Sequence, residues 1–549
     1  MKIPTQLTRA LALARPATHG TSRILFSQST CLAPSILTRS RPVLSARLFA
    51  TSSKPGQLSL GQPSHSTHPH LINKGDITPG ISATEYALRR QRFADSIPDG
   101  SIAIVAGYTL RYATGGIFHE FHQNTDLFYL TGFNEPDAAM ILEKDTSKFD
   151  GKGFKYTLFV RPKDPSTEIW DGPRAGLEGA LEYFGADSAH PIHKLPERLL
   201  QVLKNPLPYS GAQIITDLPT TPPMPPSGSA SLGHAASAPS TPAWTPYATL
   251  LSYMHESSTS TTPDKPLNLY KVRTLSGYNA VLPRLRLIKS EQEIQVLRQS
   301  GRIAGRGHVE TMAATKPGVS EAYLHSVMDH AVRRRGADGL SYVPVVASGK
   351  NALILHYVIN RHIANDGDLI LMDAGGEYGG YASDITRTWP VNGKFTDPQK
   401  KLYSAVLKVQ KACIDKCNER SNVCLEDLQN LAFELLKVEC SKLFKRKLGH
   451  AEMNTLYPHH VGHWMGLDVH DIQSINRSTK LRKGMVITIE PGVYVPNTDN
   501  YPEEYRGIGI RIEDDVVIGE DTCIVLSAEA PKEIEDIEAV CAGLVGTRD

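Results

Sequence analysis

The sequence predicts an α+β protein: a small α/β domain, then a larger domain of helices and β-rich runs. Three observations carry this. At 549 residues the chain exceeds one ordinary domain. Between about 81 and 285, short apolar runs alternate with helical ones, the pattern of an α/β layer. From 286 onward, helix starts give way to β-rich runs that each arrive at a carboxylate. Composition agrees, since 40% hydrophobic and 21% charged residues are globular values. No apolar run approaches the roughly 18–20 residues that span a bilayer.

Taken in order, the chain opens on a leader over 1–48. No Asp or Glu precedes Asp76, while Lys2 and six arginines are spread among Ser, Thr, Ala and Leu. That is the composition of a mitochondrial transit peptide, and it predicts delivery to the matrix. A secretory signal needs one compact apolar block, and this stretch has none. Arg47 stands two residues before Phe49, so a cut after Leu48 would expose a bulky first residue ahead of Ala50. Losing the leader takes the formal charge from +2 to −5, which gives a nucleic-acid partner no support. Residues 49–80, rich in His, Pro, Ser and Gly, read as a linker. His65, His68 and His70 are irregularly spaced there and read as solvated.

The first domain, 81–285, begins with a helix over 84–94 and a buried strand over 101–107. Residues 126–130 read as a strand, 132–136 as a turn, and 138–142 and 156–160 as further strands. An insertion occupies about 218–265. Its part 218–246 carries no charged residue and is dominated by Pro, Ser, Thr, Ala and Gly. Such a segment buries too little apolar surface to offset its ordering entropy, which predicts a disordered surface loop. A Pro-rich ligand for another protein is the lesser reading.

The second domain, 286–549, opens on Ser290 with Glu293 three residues on, a capping box. Ile294, Leu297, Gly301, Ala304 and Gly305 follow at helical spacing, the small ones suited to close packing. Lys316-Pro317-Gly318 ends this helix, and Ser320 starts another that stops near Gly336. Strands are expected over 342–348, 368–373 and 384–391, helices over 398–418 and 425–440, and strands again over 485–490 and 508–513. The glycine-rich stretch 374–381 joins two β runs and lacks the Lys-Ser/Thr of a phosphate loop, so it reads as a hairpin. Gly507-Ile508-Gly509 is no dinucleotide fingerprint, because no helix follows. Seven cysteines without framework spacing fit reduced thiols, and Cys413 with Cys417 reads as helix packing.

The chemistry concentrates at 457–471, where His459, His460, His463 and His470 fall within twelve residues. Asp373, Glu490 and Glu513 end β runs on either side, and Asp384 follows the glycine-rich turn at the head of another. Together with one histidine they make a hard, oxygen-rich ligand set. Four carboxylates in one pocket repel and stay partly protonated without cations. Two divalent ions would neutralise them, as in dinuclear hydrolase sites with metals roughly 3.5–4 Å apart. Any one of these acids alone is as readily a surface charge; five ligands beside a histidine cluster are not.

The order Asp373, ten residues, Asp384, His463, Glu490-Pro491-Gly492 and Arg511-Ile512-Glu513-Asp514-Asp515 resembles the pita-bread metallopeptidases. The runs 462–471 and 506–515, with 119–137, look like the aminopeptidase P and prolidase branch, and within it the intermediate-cleaving peptidases of fungal mitochondria. The resemblance spans about 80 to 540, broken by the insertion. It implies a pita-bread fold behind an aminopeptidase P-type first domain. It implies Asp373, Asp384, His463, Glu490 and Glu513 as ligands of two divalent ions, Mn²⁺ first, with Zn²⁺, Co²⁺ and Fe²⁺ open. Asp384 and Glu513 would bridge, Asp373 would hold one ion, and His463 and Glu490 the other. Glu490 would also shuttle protons. His356 would bind substrate and the tetrahedral intermediate, while His459 and His470 would contact substrate or the oxyanion. Arg511 would orient the bridging carboxylates. The implied activity removes a single N-terminal residue from peptides or from processed imported mitochondrial proteins, in a possible homodimer. A prolidase restricted to Xaa-Pro dipeptides is the alternative. A protein-binding module without catalysis is a third, disfavoured because all five ligands are present.

Overall fold

The computed structural model describes residues 59–149, 151–204, 209, 211–216 and 278–544. The leader, its cleavage point and the insertion read over 218–265 lie outside the described residues.

Toward the N-terminus lies a five-stranded sheet. Its order is Ser188–Pro191, Phe154–Val160, Ala139–Lys144, Ile102–Ala106, Ile214–Thr216. The central pairs run antiparallel and the two outer ones parallel. Helix Ala83–Asp95 starts on Ser82, whose hydroxyl accepts the Glu85 N–H. It packs against helices Thr125–Thr131 and Tyr278–Leu287.

Two expectations are corrected here. Residues 126–130 are helical, not a strand. The Asn124 side chain accepts from the Asp126 and Leu127 N–H groups, and Gly132 closes the helix in the left-handed conformation. A short apolar run has no periodicity to separate the two states, and the caps decided it. The stretch read as linker is folded where it is described, from Ser59 on. Leu60, Ile72 and Ile77 are buried, and the backbone pairs Asp76–Thr78 with Ile81–Ser82. Polar composition hid three well-spaced apolar anchors.

The C-terminal part is built from two ribbons, each broken in the middle. In the first, Leu369–Asp373 pairs antiparallel with Thr386–Pro390, and after a break Gly376–Tyr378 pairs with Tyr381–Ala382. In the second, Val486–Ile489 pairs with Asp514–Val517, and after a break Gly492–Tyr494 pairs with Gly509–Arg511. The same pattern thus occurs twice, a duplication that the sequence does not display. Of the expected strand 342–348, only Val345–Ser348 pairs, against Leu369–Asp373.

Helices Glu291–Ala314, Glu321–Arg333, Asp397–Ile414 and Leu425–Leu443 surround these ribbons. Ser290 and Glu293 form the reciprocal capping box that the sequence indicates. Gly301 shows why small residues line the first helix: a Cβ there would stand 2.6 Å from the Leu526 carbonyl oxygen. Trp389, Ile370, Met372, Ile487 and Ile512 lie in the core the helices enclose. Cys413 and Cys417 are buried and free, the Cys417 thiol meeting the Cys413 carbonyl one turn back. This is a pita-bread fold behind a smaller N-terminal domain.

Candidate metal centre

All four carboxylates sit at the ribbon breaks. Asp373 is the last residue of its strand, and Asp384, Glu490 and Glu513 lie in the gaps between paired segments. A strand interruption re-aims its side chains, and here each interruption turns an acid inward. Close backbone contact holds the breaks together. A Cβ on Gly375 would stand 1.6 Å from the Ser383 carbonyl oxygen, and one on Gly462 would stand 1.9 Å from that of Thr488.

Ligand atoms of Asp384, His463 and Glu513 all fall within 4.8 Å of one another. His463 Nε2 lies 3.3 Å from Asp384 Oδ2 and 3.8 Å from Glu490 Oε1. Its Nδ1 is 3.1 Å from the Trp464 carbonyl oxygen, to which it donates, so Nε2 is the nitrogen that faces the acids. Asp373 joins through Tyr342, whose hydroxyl bonds Asp373 and reaches Asp384 Oδ1 at 2.6 Å.

Charge in this pocket is unbalanced. Burial, and then the charges of Asp384 and Glu490, push the Glu513 carboxyl well above its usual range. Burial likewise raises Glu490 to about 7 and Asp373 to about 6, although Arg511 pulls the latter down. Burial also works on Asp384, but the hydrogen bond and charge of His463 hold it below the ordinary value. Burial opposes a charge on His463, and its contacts with Asp384 and Glu490 nevertheless lift it to about 9. One phenolic proton on Tyr342 serves two carboxylates. The donor set is short of positive charge at its centre, and the residues present fit divalent cations there.

Residues 295–520 match Metallopeptidase family M24, and residues 86–207 match Aminopeptidase P, N-terminal domain. Intermediate cleaving peptidase 55 of Saccharomyces cerevisiae is 39% identical over 491 residues, which cover 89% of this chain and 90% of that one. The chain belongs to the M24 metallopeptidases. Human Xaa-Pro aminopeptidase 3 is 39% identical over 506 residues, 88% of this chain and 90% of its own. The crystal structure of Saccharomyces cerevisiae Icp55 lacking its N-terminal 58 residues superposes with a TM-score of 0.71. It is 36% identical, covering 85% of this chain and 99% of that one. This M24 chain is a metallo-aminopeptidase acting on peptides, and its family implies a dinuclear divalent-metal site.

Around that M24 site the structure supplies partners that the sequence left unread. Arg511 donates to Asp373 Oδ2 at 2.7 Å, to Thr386 Oγ1 at 3.0 Å and to the Tyr494 hydroxyl at 2.8 Å. Thr386 in turn donates to Glu513 Oε2 at 2.6 Å. Arg511 therefore touches Asp373 directly and reaches Glu513 only through a threonine. Tyr342, Thr386 and Tyr494 carried no sequence signal, since each meets the site from a distant part of the chain.

The flanking histidines differ among themselves. His459 places Nδ1 2.8 Å from the His460 carbonyl and Nε2 2.9 Å from the Tyr494 hydroxyl. Both nitrogens are engaged by protein, and burial with the Arg511 charge pushes the ring down to about 3. His470 is exposed on one side, its ring edge-on to His463 at 4.3 Å; partial burial on that side, and then the charge of His463, lower its pKa. His356 is exposed, near enough that its charge disfavours protonation of both His459 and His470. Its loop is tied down by buried Glu321. That carboxylate accepts from the Ser348 N–H and hydroxyl, the Asn351 amide, the Tyr357 hydroxyl and the His362 N–H, all within 2.9 Å.

Proposed function

We propose that this enzyme removes a single residue from the N-termini of peptides and of proteins already processed on mitochondrial import. The observation that carries it is the convergence of Asp373, Asp384, His463, Glu490 and Glu513 at two ribbon breaks, in a chain whose sequence opens on a stretch of transit-peptide composition. Asp384 and Glu513 would bridge the two ions, Asp373 would hold one, and His463 and Glu490 would hold the other. Mn²⁺ suits so carboxylate-rich a set. Bound ions supply Lewis acidity and an activated water.

The chain's own groups do the rest. Glu490, its Oε1 3.8 Å from His463 Nε2, would carry the proton as well as hold an ion. His356 and His470 present donors to the substrate carbonyl. His459, with both nitrogens engaged, sets Tyr494 and Arg511 instead of touching substrate. Exposed Ile354, Val358 and Ile359 flank His356 and offer apolar surface to a bulky first side chain. Matrix residence follows from the leader.

The prolidase alternative shares every ligand, so substrate length separates the two. A peptide of ten residues is expected to lose its first residue, and an Xaa-Pro dipeptide to turn over poorly. Cleavage of dipeptides alone refutes the aminopeptidase reading. In cells, N-termini of imported proteins are expected to keep one extra bulky residue when this chain is absent.

A further inference from the structure

Behind His470 lies a buried ionic clamp that no step above uses. Arg286 ends the helix linking the two parts of the molecule, and its guanidinium is buried. Nη2 donates to Asp468 Oδ2 at 2.7 Å and to Asp471 Oδ1 at 2.5 Å. Those two acids bracket His470 in sequence. Nη1 faces the N-terminal part, donating to Asp126 Oδ1 at 2.8 Å and Thr125 Oγ1 at 3.2 Å. Thr125 closes the ring by donating to Asp468 Oδ2 at 2.9 Å, and buried Lys289 adds a bond to Asp471 Oδ2 at 3.2 Å.

The turn so gripped is stiff. The Asp471 N–H donates to the Trp464 carbonyl, and the Gly466 N–H to that of Asp468. Gly466 has no alternative, because a Cβ would stand 2.4 Å from Asp471 Oδ2. Buried charge of this kind is costly unless its geometry is satisfied, and the planar, five-donor guanidinium of Arg286 meets Asp126, Asp468 and Asp471 at once.

We propose that Arg286 is a positioning residue for His470, referencing that ring to Asp126 and Thr125 of the N-terminal domain, so that the first domain sets the catalytic geometry of the second. This rests on the reading of His470 as a substrate contact. The test is a cycle on the full-length, Mn²⁺-loaded enzyme: Arg286→Gln, His470→Ala and the double variant. Its substrate is a ten-residue peptide of sequence 49–58. Arg286→Gln is expected to lower kcat about tenfold to a hundredfold with smaller change in KM, the scale of a misplaced catalytic group. Metal stoichiometry should hold, and adding Arg286→Gln to His470→Ala should cost nothing further. Arg286→Lys should rescue poorly. Multiplicative losses in the double variant, or wild-type kcat in Arg286→Gln, overturn the proposal. Should Arg286→Gln fail to fold, Asp126→Asn and Asp468→Asn, both partly exposed, run the same cycle. A crystal structure of the impaired variant separates two failures. An unmoved His470 ring defeats the clamp, whereas a displaced ring with His470→Ala fully active defeats the reading of His470.

Discussion

Tyr342 offers one proton to two of the acids proposed as ligands, Asp373 and Asp384, and its loss isolates what such a group does. Tyr342→Phe keeps the ring and removes the bond to Asp373 and Asp384. Metal affinity is expected to fall about tenfold to a hundredfold, the usual effect of losing a ligand's supporting hydrogen bond. Titrating the chelated variant with Mn²⁺ measures it. Asp384→Ala and Glu513→Ala go further, abolishing both turnover and metal content while the fold survives. Wild-type stoichiometry in either would end the dinuclear proposal. The acids also set a pH dependence. Asp373 near 6 and Glu490 near 7 are raised above unfolded values of 3.8 and 4.5. Each stabilises the metal-free fold at low pH, and that contribution is lost as pH rises through the folded value. His463, raised from 6.5 to about 9, acts in the same direction, whereas Asp384, held low, opposes it. Chelated protein should therefore lose stability between about pH 5 and 8, and the Tm gap to loaded enzyme should widen across that window.

At the scale of elements, the ribbon breaks depend on backbones pressed together without side chains. Gly462→Ala should push the segment before His463 away from Thr488. Overpacking of this kind costs about 1–3 kcal/mol. Reduced metal content alongside a lowered Tm checks it; an unchanged Tm would show that the loop yields freely. What the sequence made legible follows the same division. Ser290 and Glu293 announce their helix because capping is local, and the acids stand out because each sits at one end of a β run. Residues 126–130 were misread because one helical turn of apolar side chains looks like a strand. Tyr342, Thr386 and Glu321 were invisible, since their meaning lies in partners far along the chain. Duplication of the ribbon is likewise carried by hydrogen-bond registers, which no residue type encodes.

On the scale of the whole molecule, the described N-terminal segment belongs to the fold. Truncation through Gly80 exposes the pocket that held Leu60, Ile72 and Ile77, and should lower Tm or abolish soluble expression. The leader itself supplies a further test. If Phe49 is exposed by a cut after Leu48, active enzyme should carry Ala50 as its first residue, and a Glu490→Gln strain should keep Phe49. Terminal sequencing of both decides it, and one shared terminus would defeat self-trimming. The two broken ribbons hold a last consequence. A polypeptide leaves the ribosome, or threads a membrane, N-terminus first, so Asp373 and Asp384 emerge long before Glu490 and Glu513. A half-delivered chain cannot assemble the site, however well its leading portion folds. Peptidase activity therefore cannot appear until nearly all of the chain has arrived.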